Sequence, residues 1–162
     1  MKIPRIIFCF VVLLLLLSSP HLSAQWDWQT PNPQGNSLNA IEFLTPNPGW
    51  AAGNYRTILL TADGAQTWVF QEYGRTDDLR GVVFVDPLHG WAVGDLGTLL
   101  HTTDGGVTWI PQIFPSQVTL FGVAFTNLIT VWIVGDEGKI LHTDDGMNWV
   151  EQARGTSSAL LE

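Results

Sequence analysis

The 162-residue chain contains one cysteine, Cys9. It lies in an apolar N-terminal stretch, so a chain that has shed this stretch can form neither a disulfide nor a thiolate metal site. Basic residues are scarce. Beyond residue 24 only Arg56, Arg75, Arg80, Lys139 and Arg154 remain against all fifteen acids, a formal charge of −10. Such a surface repels phosphate backbones, and nucleic acid is not an expected partner. No apolar run approaches the roughly 20 residues that cross a bilayer; the longest, Ile6 to Leu17, has 12. No segment between glycines keeps a 3.6-residue period for ten residues, which argues against a helical repeat.

The N-terminus carries the pattern of an export signal. Lys2 and Arg5 precede the apolar run, Ser18 to His21 break it, and Leu22-Ser23-Ala24 offers small residues before Gln25. The expectation is a signal peptide over residues 1–24, a secreted or periplasmic mature chain, and no membrane association after cleavage. An uncleaved N-terminal anchor is the alternative. Cys9 is not at the cleavage point, where a lipoprotein cysteine would sit.

Tryptophan is abundant: eight residues, all after the leader. Trp50, Trp91 and Trp132 are spaced by 41 and 41, and Gly53, Gly94 and Gly135 keep step. Leu38, Leu79 and Leu120 do the same, as do Phe43, Phe84 and Phe125. Each unit reads as four short strands separated by turn residues. In the second copy these are Leu79 to Val85, Gly90 to Val93, Thr98 to Thr102 and Thr108 to Gln112. A four-stranded unit of about 40 residues is the size of one β-propeller blade. The fold class is therefore all-β, with blades expected over 36–75, 76–116 and 117–154 and a tail over 155–162.

The third strand, turn and fourth strand carry the most specific pattern. Thr102-Thr103-Asp104-Gly105-Gly106-Val107-Thr108-Trp109 resembles the Asp-box of bacterial-neuraminidase-type repeats, S/T-x-D-x-G-x-T-W. In the first copy, Thr61, Asp63 and Trp68 match, but Ala65 stands where glycine is expected. In the third, Thr143, Asp145 and Trp149 match, while the turn is one residue shorter and has lost the threonine. The carboxylate can accept hydrogen bonds from backbone N–H groups of its own turn. Glycine supplies positive φ there, so Ala65 should strain the first turn modestly. The tryptophan covers the hairpin. These are structural residues rather than catalytic ones.

The wider unit is similar to the photosystem II assembly and stability factor family, whose repeats read G-W-x-V-G-x-x-G-x-I/L-L-x-T-x-D-G-G-x-T-W. The matching stretches are Gly49 to Trp68, Gly90 to Trp109 and Val131 to Trp149, with Arg56 replacing the glycine found at Gly97 and Gly138. The resemblance covers nearly all of residues 36 to 152. It implies a propeller that binds protein or assists assembly without an activity of its own.

Trp26-Asp27-Trp28-Gln29 matches the start of the fourth strands, so residues 25–35 read as a lone outer strand of a ring-closing blade. Three blades are fewer than the four to eight of ordinary propellers. The expectation is an incomplete ring, a partial chain of a protein of roughly 250 to 330 residues. A small open arc, or an oligomer that closes the ring, is the alternative. Uncovered tryptophan-rich blade faces favour self-association in either case.

Candidate chemistry is sparse. His101 and His142 share a repeat position on separate third strands and read as strand residues rather than metal ligands. His89 is a turn residue. Asp95-Leu96-Gly97 and Asp136-Glu137-Gly138 read as matched hairpin turns, and Asp77-Asp78 and Asp144-Asp145 lack EF-hand spacing. Sialidases share Asp-boxes but need several arginines and commonly a tyrosine nucleophile. Beyond the leader this chain has four arginines and two tyrosines, and no F/Y-R-I-P signature. No catalytic, metal or cofactor-binding residue is assigned. One binding face stands out. Loops between second and third strands share a face with inter-blade connections. This brings Tyr55 and Arg56 beside Tyr73, Arg75 and Arg80, a candidate patch for an acidic peptide or carboxylate. The alternative is scattered loop polarity. The expected function is a non-catalytic module for protein binding or assembly. A cell-surface adhesion or glycan-recognition fragment is second, and a sialidase-type hydrolase third.

Overall fold

The computed structural model describes residues 35–74, 77–113 and 116–152. The expected signal peptide, all but the last residue of the N-terminal strand, and the tail lie outside the described residues.

Twelve strands form three antiparallel sheets of four, each in plain sequential order. The first sheet holds β1 (Leu38–Phe43), β2 (Gly49–Gly53), β3 (Thr57–Thr61) and β4 (Val69–Gln71). The second holds β5 (Leu79–Phe84), β6 (Gly90–Gly94), β7 (Leu99–Thr102) and β8 (Ile110–Pro111). The third holds β9 (Leu120–Phe125), β10 (Val131–Gly135), β11 (Ile140–Thr143) and β12 (Val150–Glu151). The short hydrophobic runs and Asp/Gly turns favour this meander, since each strand needs only a tight turn to meet its neighbour. Among the described residues there is no α-helix. The sheets are propeller blades: contacts run from the first to the second and from the second to the third, an arc rather than a closed ring.

The repeated glycine after each second strand has a steric cause. The backbone N–H of the following residue, Asn54, Asp95 or Asp136, donates to the carbonyl of Ser37, Asp78 or Thr119 at 2.9, 2.9 and 2.8 Å. A Cβ on Gly94 would sit 2.1 Å from the Asp78 carbonyl oxygen, and one on Gly53 would sit 2.1 Å from that of Ser37. Only glycine permits this approach.

Blade faces bury their apolar residues against each other. Trp50, Ala52 and Ile58 of the first sheet pack on Val82, Phe84, Ala92, Leu100 and Trp109 of the second. The Trp50 ring stacks on Phe84 at 3.5 Å between centroids and 9° between planes, and Trp109 meets Phe84 edge-on at 5.8 Å. The Trp50 indole N–H also donates to the Gly105 carbonyl at 2.9 Å, tying the first blade to the Asp-box turn of the second. At the next junction Trp91, Val93 and Leu99 pack on Leu120, Val131, Ile133 and Leu141. Trp91 meets Trp149 edge-on at 5.6 Å. Burying one such aromatic removes roughly 150–250 Å² from water. At ~25 cal/mol per Å² that contributes an upper bound of about 4–6 kcal/mol. These junctions hold the arc together.

Candidate functional site

The Asp-box turns are self-satisfied. In the second copy the Thr108 hydroxyl and backbone N–H donate to the two Asp104 carboxylate oxygens at 2.6 and 2.8 Å. The Thr102 hydroxyl donates to Asp104 at 2.9 Å and accepts from the Gly106 N–H at 2.9 Å. The first copy repeats this through Thr61, Asp63, Ala65 and Thr67. In the third copy Asn148 takes the missing threonine's place. Its side-chain amide and its backbone N–H each donate to Asp145 at 2.7 Å, and the Met147 N–H adds a bond at 2.9 Å. These bonds hold all three carboxyls below the ordinary carboxylate range. The Thr67 and Thr108 hydroxyls are the largest cause at Asp63 and Asp104, and the Asn148 N–H at Asp145. Carboxylates committed to their own turns are poorly placed to serve a substrate. Ala65 adopts φ 68°, the left-handed conformation that Gly106 takes at φ 89°, so the expected strain at this turn is present in the backbone.

The second-to-third-strand turns lie at the opposite end of the blades. Each carries two successive left-handed residues: Tyr55 and Arg56, Leu96 and Gly97, Glu137 and Gly138. The first turn alone uses two side-chain-bearing residues there, at φ 52° and 55°. Each such residue costs roughly 1–2 kcal/mol relative to a right-handed conformation. The turn is tethered to the next blade, because the Tyr55 N–H donates to the Asp78 carboxylate at 2.8 Å. Its neighbour Asn54 accepts from the Asn39 amide at 2.7 Å, and that same amide group donates to the Leu79 carbonyl at 2.7 Å.

The five residues of the expected face are brought together unequally. Tyr55 is 70% exposed and Arg56 is also exposed, so both are free to meet a partner. Arg80 lies on the same side but is already engaged. Its guanidinium grips Asp95 through two bonds of 2.9 and 2.7 Å and stands 3.8 Å from Asp78. The Asp95 bonds raise its pKa further, against the opposing effect of burial, with the Asp95 and Asp78 charges adding. Tyr73 turns inward. It is buried in the first junction and its hydroxyl donates to the Asp77 carbonyl at 2.9 Å, because its ring completes the apolar core. Arg75 lies outside the described residues. The presented chemistry is therefore Tyr55 and Arg56, buttressed by the Arg80–Asp95–Asp78 cluster.

Sequence reasoning missed Asp78 and Asn39, whose repeat equivalents are unrelated in chemistry: Ser37 and Thr119 for the first, Arg80 and Phe121 for the second. The signal available was that divergence among otherwise matching copies. Asn39, Arg80 and Phe121 line one open groove of about 610 Å³ where the first strands of all three blades converge. The histidines fall on third strands as expected. His101 stacks on Trp91 at 4.1 Å, and burial, with a smaller push from His89, lowers its pKa. His142 lies over Trp132 at 4.3 Å and contacts Asp144 at 2.9 Å. Among the described residues no cluster of three or more His, Cys, Asp or Glu is arranged to hold a metal.

Among known proteins, the solved structures that resemble this arc include three of note. YCF48 bound to D1 peptide is 25% identical with a TM-score of 0.72, and the match covers 79% of this chain and 43% of that one. YCF48 from Cyanidioschyzon merolae is 27% identical at a TM-score of 0.70, covering 80% and 44%. An ancestral GH74 enzyme, 15% identical at a TM-score of 0.62 and covering 84% and 20%, shares the fold alone. This chain thus spans less than half the length of either YCF48 chain. No curated protein matches it. The family model described as photosynthesis system II assembly factor YCF48 matches residues 72–156, more than half of the chain. With its repeats, its blades and this match in agreement, the chain belongs to the photosynthesis system II assembly factor YCF48 family.

Proposed function

We propose that this chain is an exported, non-catalytic module that binds a protein segment and assists assembly. The observation that carries the reading is the first blade's strained turn, which presents Tyr55 and Arg56 to solvent. The other two blades relax the second of these positions to glycine. Backbone strain kept alongside an exposed aromatic and a guanidinium is the signature of a position held for contact rather than for stability. A similar YCF48 is bound to a D1 peptide, which supports a peptide as the kind of ligand. Arg56 would pair with a peptide carboxylate bidentately while the Tyr55 ring covers the adjoining apolar side chain. The commitment of the Asp-box carboxylates to their turns supports a binding role over hydrolysis.

Export rests on the leader pattern of residues 1–24, and a mature N-terminus at Gln25 is the direct check. The binding reading is tested by capture of protein partners from the cell envelope, with the D1 peptide as a defined probe. Tyr55→Ala with Arg56→Glu should weaken capture at least tenfold and leave the thermal midpoint essentially unchanged, because both replacements keep a Cβ in the left-handed turn. Unchanged capture in that variant, and in one with Arg75 and Arg80 also reversed, would rule the face out. A cell-surface adhesion or carbohydrate-recognition role is the second reading. Binding on a glycan array that survives these substitutions would favour it.

A further inference from the structure

We propose that the Asp-box end of the second and third blades is a docking surface for a protein segment that sets large apolar side chains among lysines or arginines. Two kinds of turn meet at this end: the Asp-box turns, and the turns joining first to second strands. Their tips carry Leu88 and Val107 in the second blade and Leu128, Ile129 and Met147 in the third, 53%, 63%, 49%, 52% and 78% exposed. The turns do not require apolar residues there, since the first blade has Asn47 where the others have Leu88 and Ile129, and Gln66 where the second has Val107. The tips adjoin one another. The Gly105 N–H donates to the Leu88 carbonyl at 2.8 Å, fastening the second blade's two turns side by side. The third blade's Asp-box turn lies against the start of β6, where a Cβ on Gly146 would stand 3.8 Å from the Trp91 ring. The Thr130 hydroxyl donates to Asp144 at 3.5 Å, closing the row at Leu128 and Ile129. Adjoining exposed apolar tips of this kind mark an interaction surface. Their exposure is not a consequence of where the arc stops. The second blade has a neighbour on each side, yet Leu88 and Val107 stay open, and a blade following the third would leave Ile129 as open as the third leaves Leu88.

Charge selects the occupant. Asp86, Asp104, Asp144 and Asp145 stand in the same four turns, and no lysine or arginine does. Arg56, Arg80 and Lys139 all lie at the opposite end of the blades, the first in a second-to-third-strand turn, the other two at the strand starts beside such turns. His89 and His142 contact Asp86 and Asp144, each at 2.9 Å, but two imidazoles cannot outweigh four carboxylates even when both are protonated. Apolar tips ringed by acids match an apolar centre with a basic rim. A second copy would bring the same acids to the contact, and an anionic lipid surface would be repelled as well. A cationic, apolar protein segment satisfies both the tips and the carboxylates. This surface is separate from the peptide-binding reading at Tyr55 and Arg56, which lie at the other end of the blades and call for an acidic ligand.

The test uses the full chain from an exporting host and a fluorescent helical peptide with leucine on one face and lysine beside it. A matched peptide with glutamate in place of lysine is the control. Fluorescence anisotropy should show binding of the lysine peptide alone, weakening as salt is raised. Leu88→Asn, Val107→Gln, Ile129→Asn and Met147→Gln together should weaken it about tenfold or more. The replacements at 88 and 107 are the residues the first blade carries at those positions, and near-ultraviolet circular dichroism checks that the fold is kept. Tyr55→Ala with Arg56→Glu should leave this binding unchanged. A photoreactive version of the lysine peptide tests the wild-type chain directly, and its crosslinks should fall within residues 86–89, 104–108, 127–130 and 144–148. Crosslinks elsewhere, equal binding of the glutamate peptide, or undiminished binding by the fourfold variant would overturn the proposal. Loss in the Tyr55 and Arg56 variant would overturn it too, by moving the contact to the other end. Co-sedimentation of the wild-type chain with phosphatidylcholine vesicles, abolished by the four substitutions, would overturn it in favour of a membrane surface.

Discussion

Ala65 and Gly106 occupy the same position in successive Asp-box turns, and exchanging their identities provides a controlled comparison of backbone strain. Ala65 holds φ 68° with its N–H donated to the Thr61 hydroxyl at 2.9 Å. An L-residue in this conformation carries about 1–2 kcal/mol of steric cost. Removing the Cβ relieves it but returns about 0.4–1 kcal/mol through the freer unfolded chain. Ala65→Gly should therefore stabilise by ~0.5–1 kcal/mol, a rise of about 2–6 °C in thermal midpoint. The reverse change, Gly106→Ala, acquires the same strain at φ 89°. Its new Cβ also falls 3.3 Å from the Trp50 indole nitrogen and 3.4 Å from two atoms of Trp109, both packed in the first junction. It should destabilise by at least ~1 kcal/mol after the same unfolded-state correction. Urea unfolding followed by tryptophan fluorescence reads both variants. Shifts of the same sign, or a lower midpoint for Ala65→Gly, would refute the assignment of strain to this turn position.

Trp50→Phe removes the indole donor to Gly105 and part of a fully buried ring, and should cost about 2–4 kcal/mol in urea unfolding. The Asp-box carboxyls have depressed native pKa values, so their contribution is complete above the unfolded value near 4 and is lost as pH falls through the lower native values. The triple variant Asp63→Asn, Asp104→Asn, Asp145→Asn should thus be less stable at neutral pH. Its deficit against wild type should shrink as urea midpoints are followed below pH 4; a constant deficit would contradict the linkage. Arg56→Gly relieves a left-handed arginine and should raise stability by ~0.5–1 kcal/mol while weakening partner capture. A melt and a pull-down on one preparation measure both effects.

The repeat was legible because it is a local code. The spacing of Trp50, Trp91 and Trp132, the Asp-Gly turns, and alternating short strands each act within one blade, where neighbours in sequence are neighbours in space. The all-β class, the four strands of each blade and the turn role of Asp104 needed nothing more. Asn148 shows where a local code becomes ambiguous: its amide supplies the bond that threonine makes in the other copies, and only the shortened turn's geometry shows it. Tyr73 and Arg80 show the limit more sharply. Both lie in the expected neighbourhood, yet a ring turns into the core or out to solvent according to the apolar space beside it, and a guanidinium is free or clamped according to an acid fifteen residues away. Asp78 belongs to the second blade and anchors the first blade's turn, a contact no pattern within one repeat encodes. The amino-acid order by itself determined the blade. The packing of one blade on the next decided which side chains are buried, which are paired, and which remain available to a partner, because those outcomes depend on surfaces that meet only after the chain has folded.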